Sequence, residues 1–262
     1  MKRLHLVEIE DLEWCPQVLR DALTDYLQFK LARIQPYAPM ISILLTALRR
    51  AGGSHILDLC SGGGGPWLWL HQTLVEKGVS MSVCLTDKYP NLQAFEQWTR
   101  ETNHAIRFHP HPVDATHVPD ELPGFRTMFT AFHHFRPEHA RAVLADAVRK
   151  RQGIGIFEAT HRSLLGLLLM LSTPFIVLVL TPFIRPFRWS RWLWTYLIPL
   201  VPLIALFDGL VSCLRTYRVS ELREMIARLN SNDYHWEIGT VQSKLIPIPV
   251  TYLVGVPNGS SA

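Results

Sequence analysis

The chain has no paired cysteines, no basic tract and no internal repeat. Its four cysteines, Cys15, Cys60, Cys84 and Cys213, are scattered without a CxxC or metal-ligand spacing. That excludes a disulfide scaffold and a cysteine-built zinc site, and nothing else in the sequence calls for a metal. Cys60 and Cys84 fall at apolar, strand-like positions and are expected as buried free thiols. The net charge of +4 comes without a lysine or arginine run, which speaks against nucleic acid and leaves an anionic surface or ligand as partner. Met1-Lys2-Arg3-Leu4-His5 lacks the apolar core of a secretory signal, so the expected location is the cytoplasmic side. Charge is scarce throughout: 18% of residues are charged and 48% hydrophobic, greasier than an average soluble domain.

What is present is alternation. Helical spacing of apolar residues covers 11–31, and another helix starts at 39–48. Strand-like segments at 55–59, 82–86, 108–113, 127–132 and 153–158 then alternate with helix-like segments at 66–77, 91–102 and 137–150. This predicts a parallel sheet covered on both faces. A helix over 220–229 and strands at 234–242 and 250–256 close the pattern, and 258–262 read as a tail. The expected division is a helical cap at 1–50, an α/β domain at 51–160 and 208–257, and an apolar insertion at 161–207.

The run from Ile56 to Trp67 is a strand ending in Asp58, a turn with four consecutive glycines, and a helix opened by Pro66. Such a turn lets backbone N–H groups approach a ligand, and the helix N-terminus adds partial positive charge. Ligands of open parallel sheets bind beyond the C-terminal ends of the strands, and acidic residues lie at three predicted ends. Asp58 ends the first strand, Asp87 the second with Lys88 beside it, and Asp114 the third before Ala115. A carboxylate after the second strand can accept both ribose hydroxyls. One after the third can accept from a purine amine, with the Ala115 N–H on a ring nitrogen. Together they describe an adenosine site.

With these pieces and the segment Thr127 to Pro137, the sequence resembles the class I S-adenosylmethionine-dependent methyltransferases over about 50–160 and 215–256. Cys60 stands where that family's first glycine often stands. The resemblance implies a Rossmann-like class I methyltransferase sheet, parallel with a closing antiparallel strand, and S-adenosylmethionine as cofactor. Its contacts would be Asp58, Cys60, Gly62, Gly64, Asp87, Lys88, Asp114 and Ala115. A nicotinamide-dependent oxidoreductase is the rival, but Trp67 occupies the third glycine position of its fingerprint. His133 and His134, after the fourth strand, and Glu158, ending the fifth, are the candidate catalytic groups. A degenerate fold acting as a membrane-tethered binding module is the non-enzyme alternative. Asp208 and Arg215 are expected either to reach the substrate or to pair with each other. Trp14 and Tyr37 are candidates to cover the cofactor.

Residues 163–184 and 192–207 carry no charge, yet Pro174, Pro182, Pro199 and Pro202 interrupt them. Entry and exit belong to one sheet, so the insertion must return on the side it left. A crossing hairpin would put Arg185, Arg188 and Arg191 outside, against the positive-inside tendency. The expected form is a shallow monotopic or peripheral arm, with these arginines and Trp189, Trp192 and Trp194 at headgroup level. A two-pass hairpin and an arm buried in a homodimer are the alternatives. A membrane-facing cleft points to a hydrophobic small molecule or lipid as methyl acceptor.

Overall fold

The computed structural model describes residues 1–229, 231–243 and 246–259. A seven-stranded sheet runs in the order β3-β2-β1-β4-β5-β7-β6. β1 (His55–Asp58), β2 (Ser82–Leu85), β3 (Ile106–Phe108), β4 (Phe125–Phe129) and β5 (Ile154–Glu158) are mutually parallel. β7 (Pro249–Pro257) runs antiparallel to both β5 and β6 (Tyr234–Gln242). The order reverses direction at β1, between β2 and β4, where such sheets open a crevice for a ligand.

Two apolar layers sandwich the sheet. On one side α2 (Ile41–Ala51), α3 (Trp67–Glu76) and α4 (Leu92–Glu101) bury Leu44, Trp67, Leu70 and Phe95. Trp67 does not hold α3 away from the sheet, because its ring fits edge-on to Phe129 at 5.7 Å inside this core. On the other side α5 (Pro137–Arg149) and α10 (Val219–Ala227) cover Leu57, Met128 and Ile156. A third core joins α1 (Gln17–Ile34) to the insertion. Leu19, Leu23 and Tyr26 pack there against Val177 of α7 (Thr173–Leu180) and against Val201 and Ile204 of α9 (Leu200–Arg215).

Three local expectations shift. The third strand occupies Ile106–Phe108 rather than 108–113, since the loop after Phe108 turns away to meet the residues just past β2 through the Val113 N–H and Asp87 carbonyl (2.9 Å). The first long helix starts at Gln17 rather than at residue 11, because Pro16 takes the capping position with extended ψ. β4 stops at Phe129, where Thr130 takes φ 44°. Of the expected tail, residues 260–262 lie outside the described residues, while the Asn258 N–H donates to the Asp233 carbonyl at 2.6 Å.

Between α6 (Leu164–Met170) and α9 the chain forms α7, the short α8 (Trp189–Trp192) and a π turn at Leu193–Leu197. Leu164–Phe183 is a 20-residue apolar helical run long enough to cross a bilayer, and only 22% of its most apolar window is buried. The arginines do not all reach outward. Arg191 is buried, donating to the Ile184 carbonyl (3.2 Å) and pairing with Asp25 of α1, and Arg188 lies 3.6 Å from the same carboxylate. A guanidinium left in an apolar core needs such a partner, so these two tie the arm to α1 and leave Arg185 exposed.

Candidate functional site

The turn after β1 is organised from below. The buried Asp58 carboxylate accepts from Ser61 Oγ (2.7 Å) and Thr127 Oγ1 (2.6 Å), and its carbonyl accepts from the Thr86 N–H (2.9 Å). Burial pushes its carboxyl up to about 6, against the pull of those hydroxyls. Asp58 therefore shapes the site without facing its opening. Cys60, Gly62 and Gly64 take left-handed backbone at φ 56°, 54° and 103°. Cys60 is half-buried in this bend, and Cys84 is half-buried too, so neither is the enclosed core thiol its apolar surroundings predict.

The glycines divide by role. A Cβ on Gly63 would stand 2.4 Å from Thr24 of α1, and one on Gly64 would stand 2.5 Å from the Trp98 ring. Trp98 also donates Nε1–H to the Gly63 carbonyl at 2.7 Å. Gly64, expected at the ligand, is thus a packing glycine whose N–H already donates to the Ser61 carbonyl. Gly62 and Gly65 have open space at the Cβ position, which is where a ligand can meet backbone.

Asp87, just past β2, accepts from the Gly62 N–H through Oδ2 and from the Tyr89 N–H through Oδ1, both at 2.8 Å. The Val113 contact draws Asp114 and Ala115 to the same edge. Asp114 is exposed, with Oδ1 accepting from the Thr116 N–H and Oγ1 at 2.8 and 2.7 Å. Ala115 is buried, and Lys88 is exposed with its ammonium 5.8 Å from the Tyr89 ring. Asp87, Asp114 and Gly62 share the carboxyl edge of β1, β2 and β3. Asp58 lies beneath it.

The other half of that edge carries His133, His134 and Glu158. His133 is fully buried, its Nδ1 2.7 Å from Glu158 Oε2 and its Nε2 3.5 Å from Glu8 Oε1. His134 is partly open, with Nδ1 3.0 Å from Asp11 and Nε2 3.6 Å from Glu8. Burial pulls the His133 pKa down, but the flanking Glu158 and Glu8 carboxylates outweigh it and hold the ring at about 9. Glu158 is neither exposed nor unpaired. His133 is buried between two carboxylates and offers no open side as a base, so of the two histidines only His134 keeps one.

The cover over this half comes from residues 3–11, within the expected cap at 1–50 but not among the residues named for it. Arg3 Nη2 donates to the carbonyls of His133 (3.1 Å) and Phe135 (2.9 Å). Asp208 accepts from the backbone N–H groups of Ile9 (2.7 Å) and Glu10 (3.2 Å). Arg215 reaches Glu8 (3.3 Å), Asp11 (3.0 Å) and the His134 carbonyl (2.7 Å). Asp208 and Arg215 hence do not pair with each other; each fastens the N-terminal strap. The acidic run Glu8-Ile9-Glu10-Asp11 was the available signal, but nothing periodic in it names its partners. Trp14 is 70% exposed and covers nothing, whereas Tyr37 is buried against Phe129 and bonded to Thr130.

The strand order, the glycine turn after β1 and the antiparallel closing strand decide the architecture. The fold is the Rossmann-like class I methyltransferase fold. No family model and no curated protein sequence matches the chain. Among solved structures, one provisionally assigned as a Zn-dependent alcohol dehydrogenase from Rhodobacter sphaeroides aligns with TM-score 0.54 and 14% identity, over 92% of this chain and 98% of that one. Magnesium protoporphyrin IX methyltransferase from Synechocystis PCC 6803, solved with bound S-adenosylmethionine, aligns with TM-score 0.47 and 10% identity, over 88% and 82%. At 14% identity the first likeness is one of fold alone, and fold does not dictate chemistry.

Proposed function

We propose that the chain binds S-adenosylmethionine across the ends of β1, β2 and β3 and methylates an amphipathic acceptor at a membrane surface. The observation that carries this reading is the Asp87 carboxylate, bonded to the Gly62 N–H at the point where strand order reverses. Each of its oxygens keeps a lone pair for a ribose hydroxyl. The open faces of Gly62 and Gly65 admit a ligand against the backbone, and Asp114 Oδ2 is clear to accept from a purine amine. The bound donor supplies an electrophilic sulfonium methyl. The chain's own part is orientation, exclusion of water and proton handling.

A cavity of about 520 Å³ near the end of β5 supports the acceptor side. His161, Arg162, Arg218, Leu164 and Thr251 line it, and Thr251 pairs in register with Glu158. Arg162 is paired with Glu221, yet its Nε and Nη1 have no hydrogen-bond partner. Two guanidiniums beside the first residue of an apolar helix suit a molecule with an anionic head and an apolar tail. The exposed apolar side chains of the arm suit contact with lipid, and in this reading the arm takes a monotopic or peripheral seat on the cytoplasmic leaflet. One observation favours a second reading, a binding module without turnover: His133 is closed between two carboxylates.

Calorimetric titration with S-adenosylmethionine and with its demethylated product tests the cofactor. Binding of both, lost in a folded Asp87→Ala variant, is the expected outcome; no heat for either sinks the reading. Mass spectrometry of a lipid extract incubated with protein and isotopically labelled donor then separates enzyme from module. Vesicle flotation separates a membrane arm from a dimer arm.

A further inference from the structure

Glu8, His133 and His134 offer one ligand atom each, all within 4.8 Å of one another, the one such group among the described residues. Glu8 reaches them from the N-terminal strap, and the histidines sit in the turn after β4. The Glu8 carboxylate stands 3.5 Å from His133 Nε2 and 3.6 Å from His134 Nε2. A charged pair in direct contact closes to about 2.7–2.9 Å. Donors held about 2.0–2.1 Å from a tetrahedral zinc ion lie roughly 3.3 Å from each other. The two separations, one from each Glu8 oxygen, are closer to ligand spacing than to direct contact. His133 Nε2 is also fully buried, with no hydrogen-bond partner.

The outer contacts point the same way. His133 Nδ1 meets Glu158 at 2.7 Å, and His134 Nδ1 meets Asp11 at 3.0 Å. A ring that keeps its Nδ1–H on a carboxylate and releases its Nε2 proton as an ion binds presents Nε2 as a ligand, the arrangement that orients metal-binding histidines. Here two adjacent rings share it and turn both Nε2 atoms toward one carboxylate. Facing groups also include Ser212, donating to Glu8 at 3.0 Å, and the Arg215 guanidinium on Glu8 and Asp11. Glu8, Asp11 and Glu158 bring three carboxylates to the two rings, and a bound dication takes over the positive charge that the His133 proton otherwise supplies there.

We propose that Glu8, His133 and His134 bind a divalent zinc ion. Two imidazoles and a carboxylate are a donor set that keeps a fourth position for water or a ligand. The ion clasps the N-terminal strap onto the turn after β4. The assignment is independent of the methyl donor.

The test uses the full chain, stripped with a chelator and titrated with zinc, with metal content read by mass spectrometry. The expected result is one ion per chain, and cobalt(II) in its place gives the intense visible bands of a four-coordinate site. His134→Ala and Glu8→Gln each weaken zinc binding by at least about tenfold, and Asp11→Asn, which touches no metal directly, by about tenfold. A His109→Ala, His111→Ala double variant at the other adjacent imidazole pair leaves it unchanged. No zinc retained at micromolar concentration, or affinity indifferent to His134→Ala, overturns the assignment and leaves a closed ion-pair network. S-adenosylmethionine titrated into the stripped protein separates failure here from failure of the methyl-transfer reading.

Discussion

The sheet and the helical arm treat apolar side chains in opposite ways. Around the sheet both faces are sealed by helices, and the few large apolar residues left outside, such as Val75 and Leu92, are scattered. The arm has a core of its own against α1, yet outside it Leu164, Phe175, Trp189 and Leu197 are 68%, 71%, 79% and 76% exposed. Isolated exposed apolar residues need no explanation, whereas a contiguous set does. The arm's charged groups differ too, because Arg188 and Arg191 turn inward to Asp25 and leave Arg185 as the exposed arginine of the segment. The arm is folded like a domain and surfaced like an interface.

The sheet side breaks most severely at Asp146. Its carboxylate pairs with Arg126 at 2.8 Å, both side chains fully buried between α5 and β4. Asp146→Ala strands the guanidinium and is expected to cost about 3–5 kcal/mol by urea denaturation, while Arg126→Met combined with Asp146→Leu is close to neutral. The arm responds in the other currency. Phe175→Glu with Trp189→Glu is expected to shift stability by less than about 0.5 kcal/mol per site. Vesicle partition then falls at least about a hundredfold, since each buried aromatic contributes about 1.5–3 kcal/mol. Unchanged partition, or a dimer dissociating to monomer in sedimentation, assigns the arm to a protein contact instead.

A smaller effect sharpens the reading of the glycine turn. Asp58 in the fold titrates at about 6, above its ordinary value of 3.8, so the native state holds its proton where the unfolded chain has lost it. Stability from this group is complete below pH 3.8 and falls as pH rises toward 6, by about 3 kcal/mol in all. Asp58→Asn removes that slope, and denaturation at pH 4 and pH 7 reads the difference between the two proteins. A slope unchanged by the substitution contradicts the burial account. The least effect is expected at Trp14, where exposure of 70% makes Trp14→Ala worth less than about 0.5 kcal/mol in thermal unfolding.

Much of the sheet was legible because its signals are local. Alternation located most strands to within a residue or two, and β6 at 234–242 appears as read. β3 was misplaced because Ile106-Arg107-Phe108 is too short to show a period and its neighbour, not its composition, defines it. At the site, Asp87 and Asp114 were legible as strand-end carboxylates. Gly64 was not separable from Gly62, since only Trp98, 34 residues onward on α4, distinguishes them. The pairing of Asp208 with Arg215 failed for the same reason: their partners lie at the other end of the chain.

Sequence alone determined the sheet's alternation, the glycine turn above Asp58 and the apolar character of the arm, because period and composition act over a few residues. Only the tertiary structure decided what closes the second half of the site. Arg215 meets Glu8 across 207 positions, and His133 meets Glu158 across 25. Those contacts depend on which strand ends the sheet order brings together, and on burial that makes an unpaired charge costly enough to select its partner.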